Sequence, residues 1–167
     1  MVNNNYNQLV TVTRKINSTK EILWKFISSP GYLYKSHPFC KENNVISWNK
    51  SSHIDELIYL NNLRYIREFI LWKEGTGYAL LIGESNKEKS KVKWKISSNE
   101  NDTFLTITVY PYFMARYPKI ISFLPYELYI KPKLRSYLNS VIKGINWYLE
   151  RGEEVPRNRF GKHAWFS

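Results

Sequence analysis

The chain has 167 residues, 43% of them hydrophobic and 16% aromatic, and a formal net charge of +11. That length suits one domain around one core, and the apolar and aromatic content excludes a disordered chain. A single cysteine excludes an intramolecular disulfide, and no run of about 18 or more apolar residues is present to span a membrane as a helix.

The positive charge would suit a nucleic-acid or anionic-membrane partner, but Lys, Asn, Ile and Tyr are all plentiful, which compositional bias alone would produce. The opening MVNNNYNQLV has no basic stretch followed by an apolar one, so a soluble cytoplasmic protein is the expectation.

Residues 8–16 are β-branched and alternating, with Val10, Val12 and Ile16 in step, and predict a strand. A capping box then predicts a helix: Ser18 would accept from the amide of Glu21, whose carboxylate reaches back. Ile22, Leu23, Phe26 and Ile27 follow at helical spacing. Ser29-Pro30 reads as the N-cap and first turn of a second, short helix ending near Lys35.

Lys35-Ser36-His37-Pro38-Phe39-Cys40 is then the exit from that helix into a sheet. His37 and Cys40 have metal-ligand spacing, yet a zinc site needs three or four ligands and only His53 and His163 remain elsewhere. A nucleophilic Cys40 would need a depressed pKa and an orienting partner, and neither is visible. No metal and no cofactor are expected, with Pro38 setting the bend, Phe39 anchoring it and Cys40 packing.

From residue 45 the period changes to two. Strands are predicted at 45–49, 56–60, 63–73, 77–83, 91–97 and 103–110, with tight turns at Asn61-Asn62, Glu74 to Gly77 and Asn99 to Asp102. Leu134, Tyr137, Leu138, Val141, Ile142, Ile145, Tyr148 and Leu149 predict a long helix, begun near Pro132 and capped by Gly152. Gly144 inside it would cost about 1 kcal/mol against Ala and points to a close approach. One strand, two helices, six strands and a long helix place helices on one face of an antiparallel sheet.

This order, carried by VTVTRKINSTKEILWKFISSP, RYIREFILWKEGTGYALLI, SKVKWKIS with FLTITVYPY, and YLNSVIKGINWYLE, resembles the helix-grip superfamily. That group comprises the START domains, the birch-pollen-allergen family and the polyketide cyclase/dehydrase-like proteins, together called SRPBCC. The resemblance covers residues 9–151 and implies one α+β domain over 1–167. A curved seven-stranded antiparallel sheet would grip the last helix, two short helices would follow strand 1, and 152–167 would form an aromatic tail.

It further implies a cavity between sheet and helix for a hydrophobic or amphipathic molecule, lipid- or polyketide-like. His37 and Phe39 would stand at its rim, Arg67, Tyr78, Trp94 and Tyr110 on the sheet, and Tyr137, Val141 and Ile145 on the helix. Binding or carriage without catalysis is the first reading. The alternatives are a cyclase/dehydratase-type enzyme using the same cavity, with acid–base work by His37, Arg67 or a tyrosine, and a charge-driven binder of nucleic acid or membrane. Lys91, Lys93 and Lys95 face away from Trp94, which leaves no stacking platform for nucleic acid.

Two stretches resist this pattern. In strand 63–73, either face brings a charge inward, Arg67 on one side or Glu68 on the other. Residues 111–131 lengthen the link before the last helix, with Ile120, Ile121, Phe123 and Leu124 as an apolar patch flanked by Arg116 and Lys119. This link would serve as a lid, a homodimer contact, a peripheral membrane contact or simple packing. In the tail, Phe160, Trp165 and Phe166 are expected to fold back onto the domain, the alternative being a plug or a contact between subunits.

Overall fold

A computed structural model describes residues 8–112 and 123–167. The elements are β1 (Val10–Ile16), α1 (Lys20–Ile27), α2 (Tyr32–Ser36), β2 (Cys40–Trp48), β3 (His53–Tyr59), β4 (Arg64–Lys73), β5 (Gly77–Gly83), β6 (Ser90–Ser98) and β7 (Thr103–Tyr110). A π-helical turn (Tyr126–Ile130) leads into the last helix, α3 (Lys131–Arg151). Ile120 and Ile121 of the expected apolar patch, with Arg116 and Lys119, lie outside the described residues.

The strands form one antiparallel sheet in the order β1-β7-β6-β5-β4-β3-β2. Consecutive β1 and β2 therefore occupy opposite edges, and α1 with α2 spans the distance between them. The β3–β4 turn depends on Asn62, which takes the left-handed φ of +67° that Asn tolerates. Register shifts in β2 and β4 mark bulges, which bend a strand locally.

The β4 bulge settles which face of that strand is inside. Tyr65, Arg67 and Phe69 point inward, the register slips between Phe69 and Leu71, and Trp72 resumes the inner row. Ile70 and Leu71 are left outside, as is Glu68, which pairs with Lys89. A strand whose two halves use opposite parities cannot look amphipathic in one phase.

Three sequence expectations shift. The N-cap of α1 is Thr19, whose hydroxyl accepts from the amide of Ile22 at 3.3 Å, so the Ser18 capping box is displaced by one residue. The N-cap of α2 is Gly31 at φ +70°, and Pro30 precedes the helix. Strand β2 starts at Cys40, five residues before the predicted 45, and β3 starts at His53. Most of β2 is exposed on a sheet edge, so its pairing with β3 left no apolar alternation to read.

Helix α3 lays Leu134, Leu138, Val141, Ile142 and Ile145 against the concave face. Asn146 ties it to the end of β1, donating to the Lys15 carbonyl at 3.0 Å and accepting from the Asn17 amide at 3.1 Å. Gly152 ends it at φ +69°.

Candidate functional site

Between the inner face of the sheet and α3 lies a cavity of about 420 Å³. Its walls are mostly aliphatic: Leu57, Leu80, Ile82, Val92, Ile107 and Val109 from the strands, Leu134, Leu138 and Val141 from α3, and Leu33 from α2. Polar chemistry enters at His37, Tyr59, Tyr65, Arg67, Ser90 and Tyr137. Concave, apolar and sparsely polar is the usual character of a small-molecule site, and the volume lies within the usual range of about 300–1,000 Å³.

Among the described residues, Arg67 is the one strong charge on this wall. It stands directly opposite Asp55 in the β3–β4 ladder, and both residues are buried, at 2% and 0% exposure. Arg67 Nε is 3.4 Å from Asp55 Oδ1, so the pair is held by charge more than by a well-formed hydrogen bond. Arg67 Nη2 donates to Tyr32 Oη at 3.4 Å, and that hydroxyl is 2.7 Å from Tyr78 Oη. The guanidinium also sits over the rings of Tyr32 and Phe69, at 5.3 and 5.1 Å.

Burial works against the guanidinium charge, but Asp55 and the two tyrosines outweigh it and hold its pKa above the ordinary value. Burial raises the Asp55 pKa, and Arg67 and Asn43 pull it back only in part. Within the described protein, Arg67 Nη1 has no hydrogen-bond partner. Both Asp55 carboxylate oxygens likewise lack a well-formed hydrogen bond, and a buried polar group left so carries a penalty of about 1–3 kcal/mol.

At the exit of α2, both nitrogens of His37 are committed. The Phe39 amide donates to Nδ1 at 3.2 Å, so Nε2 carries the hydrogen and donates to Tyr137 Oη at 2.9 Å. Tyr137 Oη in turn is 3.1 Å from Tyr59 Oη. Burial, with Arg67 and Arg157 nearby, pushes the His37 pKa down to about 3, and the imidazole is neutral at ordinary pH. Burial pushes the Cys40 thiol up to about 12, leaving it a packing residue beside the site. Among the described residues, no three of His, Cys, Asp and Glu stand together as metal ligands.

Of the residues expected around a ligand, His37, Arg67, Trp94, Tyr137 and Val141 line the cavity. Phe39, Tyr78 and Ile145 are buried but stand behind it, Phe39 stacked on Tyr137 and Tyr78 stacked on Trp94. Tyr110 requires correction. In β7 the odd-numbered residues Leu105, Ile107 and Val109 face in, so Tyr110 takes the outer face, with Lys93 Nζ 5.2 Å from its ring centre. Sequence reading did not place Trp165 and Phe166 on the cavity wall, where both stand. Leu57, Leu80 and Ile82 were available from strand alternation once Arg67 had been set facing inward.

No family model matches the chain, and no curated protein matches it in sequence. Solved structures do match in shape. DynU16, a protein of the dynemicin biosynthetic locus, aligns with a TM-score of 0.67 at 11% identity over 87% of this chain and 48% of its own. A START superfamily protein from Mycobacterium smegmatis aligns with a TM-score of 0.63 at 12% identity, covering 86% of this chain and 97% of its own. The fold is the START-like helix grip. Ara h 8.0201 shares this helix grip, with a TM-score of 0.61 at 15% identity over 86% of this chain and 97% of its own. This chain thus spans about half of DynU16 and nearly the whole of the other two. Among the described residues, no helix of this START-like domain is long and apolar enough to cross a membrane.

Proposed function

We propose that the protein binds and carries a hydrophobic or amphipathic small molecule in the cavity between sheet and α3, without catalysing its conversion. The observation that carries this reading is a mostly apolar cavity in which, among the described residues, the one charged lining side chain is the buried Arg67. Such a site favours an apolar body bearing one acceptor, such as a carboxylate, a carbonyl or a hydroxyl oxygen.

Catalysis by His37 would need a basic nitrogen facing the ligand. Here Nδ1 already accepts from Phe39 and Nε2 already donates to Tyr137, which suits a positioning role better than proton transfer. On the outer sheet face Lys93 and Lys95 are exposed, Trp94 points inward, and the Tyr110 ring is covered by Lys93 Nζ, a poor match to a stacking surface for nucleic acid. In the segment leading into α3, Phe123, Leu124 and Leu128 are exposed and would suit brief contact with a membrane.

Native mass spectrometry of the protein purified from its own cells tests the reading. A bound mass of single-chain or fused-ring character is expected. A bare protein that also fails to take up a lipophilic fluorophore saturably would refute it.

A further inference from the structure

Beyond Gly152, the chain turns back along α2. The Val155 amide donates to the Lys35 carbonyl and the Asn158 amide to the Pro38 carbonyl, both at 2.9 Å. Arg157 Nη1 donates to the Tyr34 carbonyl at 3.0 Å. A turn at Gly161, φ +98°, precedes the segment from His163 to Ser167, whose Trp165 and Phe166 stand on the cavity wall.

That segment is fastened on both sides. The Trp165 amide donates to His163 Nδ1 at 3.3 Å, so His163 Nε2 carries the hydrogen and donates to the Lys133 carbonyl, at 3.1 Å, in the first turn of α3. On the sheet side, Asn61 Nδ2 in the β3–β4 turn donates to the Trp165 carbonyl at 2.9 Å. Phe166 is buried, stacked on Tyr59 at 4.3 Å between ring centres and 4.7 Å from Tyr137. Trp165 is half-buried, with Tyr129 at 6.1 Å. Both rings belong to the cavity lining.

We infer that Trp165 and Phe166 form the end wall of the cavity and determine the length of ligand it accepts. The inference rests on the binding reading above and adds to it the residues that select by size. The two rings divide the work by their burial. Phe166, packed against the tyrosines joined to His37, fixes the inner limit. Trp165, with one side open to solvent, closes the wall outside it. A ligand that reaches this wall must end there or displace rings held by hydrogen bonds on both sides.

Linear alkanoates from hexanoate to stearate, competed against a lipophilic fluorophore, test this in the wild-type chain and in Trp165→Ala and Phe166→Ala. In the wild type, affinity should rise about fourfold per added methylene and then stop rising where the chain meets the wall. In each variant that break should move to longer chains, while the shortest acids keep their affinity. Phe166→Leu replaces Phe166→Ala if the latter fails to fold, as judged by circular dichroism. A break at the same length in the folded variants, or an equal loss at every length, would overturn the inference and leave the binding reading standing. A wild-type chain that binds neither fluorophore nor any alkanoate would overturn both.

Discussion

A Cβ placed on Gly144 would lie 1.9 Å from the Ser36 carbonyl oxygen and 3.1 Å from Pro38 Cδ. Helix α3 thus rests its backbone directly on the exit of α2, the segment that carries His37 to the cavity. In an open helix Gly→Ala would gain about 1 kcal/mol. Here the obstacle is backbone on both sides, and overpacking of this kind costs about 1–3 kcal/mol or more. Gly144→Ala should therefore destabilise the protein, contrary to propensity, and urea unfolding gives the sign.

The Asp55–Arg67 pair predicts unequal costs for its two halves. Asp55→Asn leaves a buried guanidinium that cannot shed its charge, with an expected loss of about 3–5 kcal/mol. Arg67→Met leaves a carboxyl whose pKa is already raised by burial and which can neutralise itself by binding a proton. At Asp55 the folded Arg67→Met protein would then bind more protons than the unfolded chain, so its loss relative to the wild type should shrink as pH falls through the Asp55 pKa. Unfolding curves for both variants across the acid range check the asymmetry, and equal losses without pH dependence would contradict it.

Acid should also act through the histidines. His37 is depressed from 6.5 to about 3 and His163 is lowered too, in each case first by burial. The unfolded chain therefore takes up protons before the folded one, and stability present above pH 6.5 is lost as pH falls toward 3. His37→Gln keeps a donor and an acceptor but does not titrate. It should flatten much of that acid slope in a series of thermal melts.

Cys40 provides a simpler check on the helix exit. With no exposure and its pKa pushed up to about 12, it should ignore a thiol reagent in the native protein at mildly alkaline pH. The same reagent should react fully once the chain is unfolded. Fast native labelling would mean that this part of the core opens.

Much of the architecture was legible because its signals are periodic. The alternation of Val92, Trp94 and Ile96 against Lys91, Lys93 and Lys95 marks β6, and the three- and four-residue steps of α3 mark the helix. Applied consistently, the β7 alternation would have turned Tyr110 outward. Elements without such a signal were harder to place. The first half of β2 is polar because it runs along an edge, and the β4 bulge changes parity at a residue with no local mark. The cavity's end wall was hidden for another reason. Trp165 and Phe166 look like a greasy tail until hydrogen bonds far apart in sequence, to Lys133 and Asn61, set them on the cavity wall.

Titration of a lipophilic fluorophore into the wild-type chain and into Val141→Phe tests the central claim most directly. Val141 is buried on α3 and lines the cavity, so the larger ring would occupy ligand space without touching Arg67's partners. Saturable binding of one fluorophore per chain is expected, weakened about tenfold or more in a folded Val141→Phe protein. Equal binding by the two proteins, or none by the wild type, would contradict a ligand site between the sheet and the last helix.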